Sequence, residues 1–350
     1  MNIILTIIAL IIVLGMVVFV HELGHYLAAR ASGVRVEAFA IGFKPVLRWK
    51  DKRGCEWRLG WVPFGGYCQL YGQEDMFDRA KYNKMTAAQK RGHYLSVSGW
   101  KQALILVAGV AMNFILAWAI YTTMFVVKER QIQSPVVGQV IRDSAAYNAG
   151  VRAGDRVLRI DGEKIGNWGE LVIAKDLAGG DDATVILLRG EKLITVQLEP
   201  ADRWGMVADG TKTFQQRKNI VQAAWSGARE VWVQSKTLVV VLKQIITGER
   251  SSKQLGSFIT IAQVSGQALS AGIFALLSII ALLSVNLGIV NLLPLPVLDG
   301  GYLLILGTES VIRRRLQGKM MERILVGGWI LIGAIFVLTM WNDIARVFKL

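Results

Sequence analysis

Charged residues are absent from four long stretches of this chain, and this absence excludes an ordinary soluble enzyme. The stretches comprise residues 1–20, 102–127, 254–298 and 324–342. A helix needs about 20 predominantly apolar residues to cross a bilayer. Because 53% of all residues are hydrophobic and only 19% are charged, we predict a polytopic α-helical membrane protein with about four transmembrane helices.

Cysteine is equally scarce. The chain has two cysteines, Cys55 and Cys68, and both fall in a segment that we predict to be cytoplasmic. A reducing compartment disfavours a structural disulfide, and two cysteines alone do not make a zinc site. We therefore assign both a structural role.

The formal net charge is +14, a value typical of nucleic-acid-binding proteins. The basic residues nevertheless cluster beside the predicted spans, where they set membrane orientation. Residues 30–101 contain 14 Lys or Arg against 6 Asp or Glu, and residues 313–323 contain five more Lys or Arg. We predict no nucleic-acid partner, a cytoplasmic location for both segments, and the opposite side for the two termini and residues 128–253. The first span lacks a basic start and a clear cleavage site, so we predict that it is retained.

The composition also divides the chain into predicted segments. Turn signals and alternating strands predict a membrane-associated β-hairpin or meander with strands at 45–50, 55–62 and 67–71, and a compact α+β domain after the second span. A region at 219–247 alternates apolar and basic residues, which fits either a helix on the membrane surface or a helix packed on the protein with a solvated basic face.

The predicted order of segments follows from these patterns. It is transmembrane helix 1 at 1–31, the β-meander and loop at 32–100, transmembrane helix 2 at 101–128, the α+β domain at 129–210, the amphipathic region at 211–253, an amphipathic segment and transmembrane helix 3 at 254–300, a cytoplasmic loop at 301–323, and transmembrane helix 4 with a tail at 324–350.

The end of the first span carries a metal-binding pattern. His21 and His25 are four residues apart, so on a helix both imidazoles lie on one face and can bind one ion. Zinc accepts such ligands and keeps a position for water in catalytic sites, and Glu22 beside them is placed to take a proton from that water. Ionisable residues at the end of an apolar helix are costly and by default functional. The alternative is a pair of interfacial histidines with a solvated glutamate.

A catalytic zinc ion needs a third protein ligand, and the sequence offers His93 and Asp299. Asp299 is the better candidate because Pro294 and Pro296 break the helix before it, and broken backbone at membrane depth lines a wet cavity or is buried in protein. Its alternative role is the N-cap of a helix at 300–309. The amides of Asn286 and Asn291 fit either substrate binding or interhelical hydrogen bonding.

These patterns together resemble the site-2 protease family of intramembrane zinc metalloproteases, and in particular bacterial enzymes of the regulator of sigma-E protease type. The resemblance rests on residues 21–25 and 291–301, and extends nearly end to end through residues 64–67, Asn113 and residues 284–287. In many relatives a Gly-Pro pair precedes the asparagine of the second span, whereas Gly109 is followed here by no proline.

The resemblance implies a specific set of site residues. One zinc ion per chain would be bound by His21, His25 and Asp299, and Glu22 would be the general base. Substrate would contact Asn291, Asn286, Gly65 and Gly66, with the β-meander dipping into the membrane.

The resemblance also implies a cellular setting. The protein would span the bacterial inner membrane with both termini in the periplasm, and residues 129–210 would form a single periplasmic PDZ domain that binds peptide C-termini or extended segments. It would cleave the transmembrane segments of single-span membrane proteins, such as anti-sigma factors or remnant signal peptides. The rival hypotheses are a membrane zinc hydrolase of a non-peptide substrate and a non-enzymatic membrane adaptor with a PDZ domain.

Overall fold

The computed structural model describes residues 3–77, 79–127, 130–178, 181–201, 203–216, 219–250, 258–312 and 319–348. The chain divides into two compact units, residues 1–121 with 253–350 and residues 122–252. Arg313, Arg314 and Arg315, which contribute to the predicted orientation, lie outside the described residues.

Helices and antiparallel strands alternate along the chain. The helices are α1 Ile3–Ser32, α2 Arg79–Asn83, α3 Ala87–Lys90, α4 Gly99–Val127, α5 Ala145–Asn148, α6 Trp168–Ala178, α7 Ile220–Thr247, α8 Phe258–Ala271, α9 Ile273–Leu292, α10 Asp299–Ile312 and α11 Lys319–Phe348, with 3₁₀ turns at Glu74–Phe77 and Tyr94–Ser96. The strands are β1 Val36–Lys50, β2 Glu56–Leu70, β3 Arg130–Gln133, β4 Val137–Val140, β5 Arg156–Ile160, β6 Glu163–Lys164, β7 Ala183–Arg189, β8 Lys192–Leu198, β9 Met206–Ala208 and β10 Thr213–Gln216.

Four helices are long and apolar enough to cross a membrane. Among the described residues these spans are Ile3–Ser32, Gly99–Val127, Ile273–Leu292 and Met320–Asp343. Their side chains are mostly exposed, as expected for helices whose outer faces meet lipid instead of water. The predicted four-span plan is therefore confirmed. The third apolar stretch is divided into α8 and α9 at Gly272, which has a φ of +109°, in keeping with the predicted segment followed by a span.

The first spanning helix contacts two other spans, one through branched apolar side chains and one through a glycine. Val13 and Val17 of α1 pack with Leu276 and Ile280 of α9 in one buried cluster. At the far end of α1, a Cβ added to Gly24 would overlap the backbone of Ala108 in α4. Small residues allow helix backbones to come this close in membranes, and this crossing brings α4 next to the histidines of α1.

The β-rich segment after α1 is more complex than the predicted meander. Residues 47–50 pair with 56–59, and residues 38–41 pair with both 56–59 and 66–69. The three predicted strand regions are present, but the prediction of a simple meander is wrong. The prediction did not include a strand at 36–41. In the sheet this strand lies between the second and third predicted strands, so residues 66–69 form an edge of the sheet.

His93 has a structural position in the loop between β2 and α4. The ring is fully buried, its Nδ1 accepts a hydrogen bond from the Leu95 amide, and its Nε2 lies 3.2 Å from Asp75 Oδ2. Lys81 also pairs with Asp75 at 2.7 Å. His93 and Asp75 thus form a buried polar pair that stabilises the loop. His93 is not part of the metal-ligand group described below.

The second unit is a small α+β fold, the class predicted for the segment after the second span. A four-stranded antiparallel sheet has the order β6-β5-β7-β8, and β4 pairs with β9. Asp155 is buried beside β5, and Arg189 donates to its two oxygens at 2.7 Å and 2.8 Å. Burial alone would raise the pKa of Asp155, but the hydrogen bonds from Arg189 and the Arg152 amide outweigh it and lower that pKa.

Helix α7 has one side that forms ion pairs with the rest of this unit and another side that exposes apolar residues. Arg229 and Lys236 form ion pairs with Glu170 and Glu163 at 3.0 Å and 2.6 Å. Large apolar side chains recur every seven residues on the exposed face, namely Trp225, Trp232, Val239 and Ile246. One exposed face is therefore apolar, but Arg229 and Lys243 of the same helix are exposed as well, so both predicted alternatives stay open.

Candidate metal centre

A cavity of about 630 Å³ lies within the first unit at the C-terminal end of α1. Its walls come from α1, α4, α9, α10, the loop between α9 and α10, and the edge segment of β2. His21, Glu22, His25, Asn291 and Asp299 all line it. These five residues, which are separated by up to 278 positions in sequence, therefore line the same cavity.

Two imidazoles and one carboxylate meet at a single point in this cavity. The Nε2 atoms of His21 and His25 are 3.2 Å apart, and Asp299 Oδ2 lies 3.3 Å from the first and 3.4 Å from the second. Ligands placed about 2.0–2.1 Å from a tetrahedral zinc ion are separated by about 3.3–3.4 Å. The three atoms thus have the mutual spacing of three ligands of one ion.

The hydrogen bonds around His25 leave its Nε2 lone pair free. His25 Nδ1 is 2.8 Å from the carbonyl oxygen of Ile105. A carbonyl can only accept, so Nδ1 carries the proton and Nε2 of the neutral ring presents its lone pair. A Cβ on Gly109 would overlap this ring, so glycine at that position gives the imidazole its space.

His21 is oriented by a buried amide of α4. The side-chain nitrogen of Asn113 lies 3.2 Å from His21 Nδ1, while Asn113 Oδ1 is buried without a hydrogen-bond partner. Exchanging the two amide atoms gives both groups a partner, because Oδ1 then accepts the Nδ1 proton. That arrangement leaves the His21 Nε2 lone pair directed at the same point as that of His25.

Asp299 and Glu22 add two carboxylates to this largely buried site. Asp299 Oδ2 is buried and accepts no hydrogen bond, and Asp299 begins α10 as well as facing the histidines. Asp299 is thus the first residue of the helix, which is compatible with the predicted ligand position, and its alternative role as an N-cap stays a prediction. Burying two carboxylates is costly unless a cation compensates them, so the donor set and its charge both fit a divalent metal.

Glu22 is held by the edge segment of β2. The Cys68 amide donates a hydrogen bond to the Glu22 carboxylate, and a Cβ on Gly66 would lie 3.4 Å from Glu22 Cγ and 2.9 Å from Val18 Cγ1. The strand backbone consequently lies directly against the predicted general base.

The predicted substrate contacts differ in their placement. Asn291 Nδ2 lies 3.2 Å from His21 Nε2, beside the ligand atoms. Gly65 and Gly66 line the cavity. Asn286 is half-buried on α9 and is not among the residues that line it. The role of each in substrate binding stays a prediction.

Sequence reasoning missed the second layer of this site. It noted Asn113 only through the family resemblance and gave no role to Ser284, whose hydroxyl donates to the Asn113 carbonyl oxygen at 2.9 Å. A lone asparagine in an apolar span is a signal, because an isolated amide is costly there unless it has a partner.

Comparison with known proteins agrees with this geometry. The family model described as peptidase family M50 matches residues 9–335. A candidate zinc metalloprotease of Agrobacterium fabrum is 35% identical over 361 residues, covering 97% of this chain and 96% of its own length. The metalloprotease MmpA of Caulobacter vibrioides is 32% identical over 385 residues, covering 98% of this chain and 96% of its own. The expected zinc dependence and peptidase activity are thereby confirmed, against the rival non-peptide hydrolase and adaptor. The chain belongs to peptidase family M50 and is a membrane zinc metalloprotease.

Proposed function

We propose that the enzyme cleaves single-span membrane proteins within or at the edge of the lipid bilayer. The observation that carries this proposal is the position of the ligand group. His21 and His25 lie on a helix apolar enough to span the membrane, and Asp299 follows another such helix. A peptide bond must therefore reach apolar surroundings to be cut.

The proposed chemistry divides the work among these residues. His21, His25 and Asp299 would hold one zinc ion, which lowers the pKa of bound water to about 7. The Glu22 carboxylate would accept the proton of the attacking water and pass it to the leaving amine nitrogen. The amide of the Cys68 backbone keeps that carboxylate in place during both transfers.

Substrate would enter as an extended strand. A transmembrane helix satisfies its own amides, and losing those hydrogen bonds in hydrocarbon costs several kcal/mol per group. Residues 66–69 form an edge segment that lines the cavity, so an unwound substrate can recover hydrogen bonds by adding to this edge. We assign Gly65, Gly66 and Asn291 to this contact, with Asn286 as a supporting residue along α9.

We also propose that the second unit is a PDZ domain that selects substrates. A groove of about 290 Å³ runs between α6 and the strand β9, and Trp204, Gly205 and Met206 line it. Apolar walls beside a glycine-containing turn suit an apolar peptide C-terminus or an extended segment. Such a domain would exclude intact proteins and admit those already trimmed.

The basic segments at 30–101 and 313–323 support an inner-membrane orientation in which they face the cytoplasm and both termini and the PDZ domain lie in the periplasm.

The exposed apolar face of α7 supports contact with the lipid surface, because Trp225 and Trp232 are 75% and 69% exposed and tryptophan favours membrane interfaces. A nitroxide label at Trp232→Cys in nanodiscs should give the oxygen accessibility of a lipid-inserted site. The same label at the exposed turn residue Glu191→Cys should report water, and equal values at both would reject this placement.

A cleavage assay tests the main proposal. Full-length enzyme in detergent is incubated with a purified single-span membrane protein, with and without a chelator, beside the variant Glu22→Gln. We expect the variant to bind zinc normally and to lose about 10²–10⁴-fold in cleavage rate, the usual contribution of a general base. Undiminished cleavage by Glu22→Gln, or cuts only in soluble peptides, would reject the proposal.

A further inference from the structure

The last spanning helix touches the loop that precedes Asp299 at Gly328. A Cβ built on Gly328 of α11 would lie 2.5 Å from Pro296 Cβ and 2.8 Å from Pro296 O. Non-bonded heavy atoms are most favourable at about 3.5–4.0 Å, so no larger residue fits there without movement. Gly328 is therefore in direct packing contact with the backbone of the loop.

This contact is specific to one position of a mostly lipid-facing helix. Gly328 is buried, whereas the neighbouring Trp329 and Ile330 are exposed. A Cβ on Gly327 would meet nothing within 4 Å, and the same holds for Gly333. The requirement for glycine thus comes from Pro296 and not from the helix as a whole.

The loop itself is short and strained. Residues 293–298 join α9 to α10, and two internal hydrogen bonds fold it, from the Leu295 amide to the Leu293 carbonyl at 2.7 Å and from the Leu298 amide to the Leu295 carbonyl at 3.2 Å. Val297 has a φ of +82°, a region that β-branched residues avoid. Such strain persists only where the surroundings over-determine the conformation.

The loop is also locked to the helix that follows it. A Cβ on Gly301 would overlap the Leu295 carbonyl, so the start of α10 packs directly on the loop backbone. A displacement of Pro296 would consequently move Asp299, three residues later, away from the two Nε2 atoms.

We propose that Gly328 is a positioning residue for the metal centre: by packing on Pro296, α11 holds the strained loop so that Asp299 meets the histidines. This inference rests on the proposed role of Asp299 as a zinc ligand. It gives the fourth span a function in metal binding, although none of the residues described for this helix lines the cavity.

The test measures metal binding in full-length protein purified in detergent. Gly328→Ala is compared with the matched control Gly327→Ala and the reference Asp299→Asn, using zinc competition against a chelator and the visible spectrum of the cobalt-substituted protein. We expect Gly328→Ala to bind zinc about tenfold more weakly, as outer-layer substitutions do, with an altered cobalt spectrum. Gly327→Ala should match wild type in both measurements.

A second pair of variants covers a failure to fold. If Gly328→Ala gives no monodisperse protein, Pro296→Gly removes the proline ring that lies against Gly328, and Pro294→Gly controls for the added flexibility. Zinc affinity should then fall more for Pro296→Gly than for Pro294→Gly, and equal losses would overturn the inference.

The outcomes separate the two proposals. Wild-type zinc affinity and cobalt spectrum in Gly328→Ala, with weak binding in Asp299→Asn, would overturn the positioning role and leave the ligand assignment intact. Wild-type affinity in Asp299→Asn would overturn the ligand assignment, and the positioning role with it.

Discussion

Asn113 provides a direct test of how the second layer of the site fixes the metal ligands. The substitution Asn113→Ala removes the amide that lies 3.2 Å from His21 Nδ1 and leaves that buried nitrogen without a partner. An unsatisfied buried group costs about 1–3 kcal/mol, and we take about 2 kcal/mol. Since about 1.4 kcal/mol corresponds to a tenfold change in Kd, zinc affinity should fall about 30-fold.

The assay is competition for zinc between the full-length protein in detergent and a chelator of known affinity. Asn113→Asp should retain wild-type affinity or exceed it, because a carboxylate accepts the same Nδ1 proton and raises the basicity of the ligand. Ser284→Ala removes the hydrogen bond to the Asn113 carbonyl oxygen but keeps the amide, so its affinity should stay within about threefold of wild type. Unchanged affinity in Asn113→Ala, or equal losses in Ser284→Ala, would refute the orienting role.

Three further predictions address the strand edge, the second unit and the metal. Gly66→Ala places a Cβ 2.6 Å from the Ala40 carbonyl oxygen, so it should abolish cleavage with zinc content unchanged, whereas Gly15→Ala, where a Cβ meets nothing within 4 Å, should leave cleavage rates intact. Arg189→Leu leaves the buried Asp155 carboxylate unpaired and should destabilise the second unit by about 3 kcal/mol at pH 7, measured by hydrogen exchange of β5 and β7. Because the folded-state pKa of Asp155 is lowered, this stabilisation is complete above its ordinary pKa of about 3.9 and is lost as pH falls through the folded-state value. The gap between wild type and variant should therefore shrink below about pH 4, and a constant gap would contradict the assignment. Chelation should abolish cleavage and lower the Tm, since a metal that binds only the folded state stabilises it, and added zinc should restore both.

The sequence predicted those features whose cause is local. Four apolar stretches required four spanning helices, and the i, i+4 spacing of His21 and His25 placed both imidazoles on one face. The turn signals between residues 45 and 71 gave the three predicted strand regions, all of which lie almost entirely in β1 and β2. In each case the determining interactions lie within one element or between neighbours in sequence.

Features that depend on distant backbone contacts were not predictable in the same way. Residues 38–41 insert between two strand segments that the sequence suggests are neighbours, because pairing partners 18 and more positions away leave no local signal. The glycines Gly24, Gly109 and Gly328 each face another element, and their sequence positions alone do not reveal which one. Asn113 was visible as a polar residue in an apolar span, but its partner His21 follows only from the crossing of α1 and α4.

X-ray absorption at the zinc edge tests the central claim most directly, namely that one ion is bound by the end of the first helix and by the acid after the proline-containing loop. On full-length protein loaded with one equivalent of zinc, we predict a first shell of nitrogen and oxygen at about 2.0–2.1 Å, including two imidazoles, and a changed shell in Asp299→Ala. A sulfur ligand at about 2.3 Å, or a spectrum unaltered by Asp299→Ala, would contradict it.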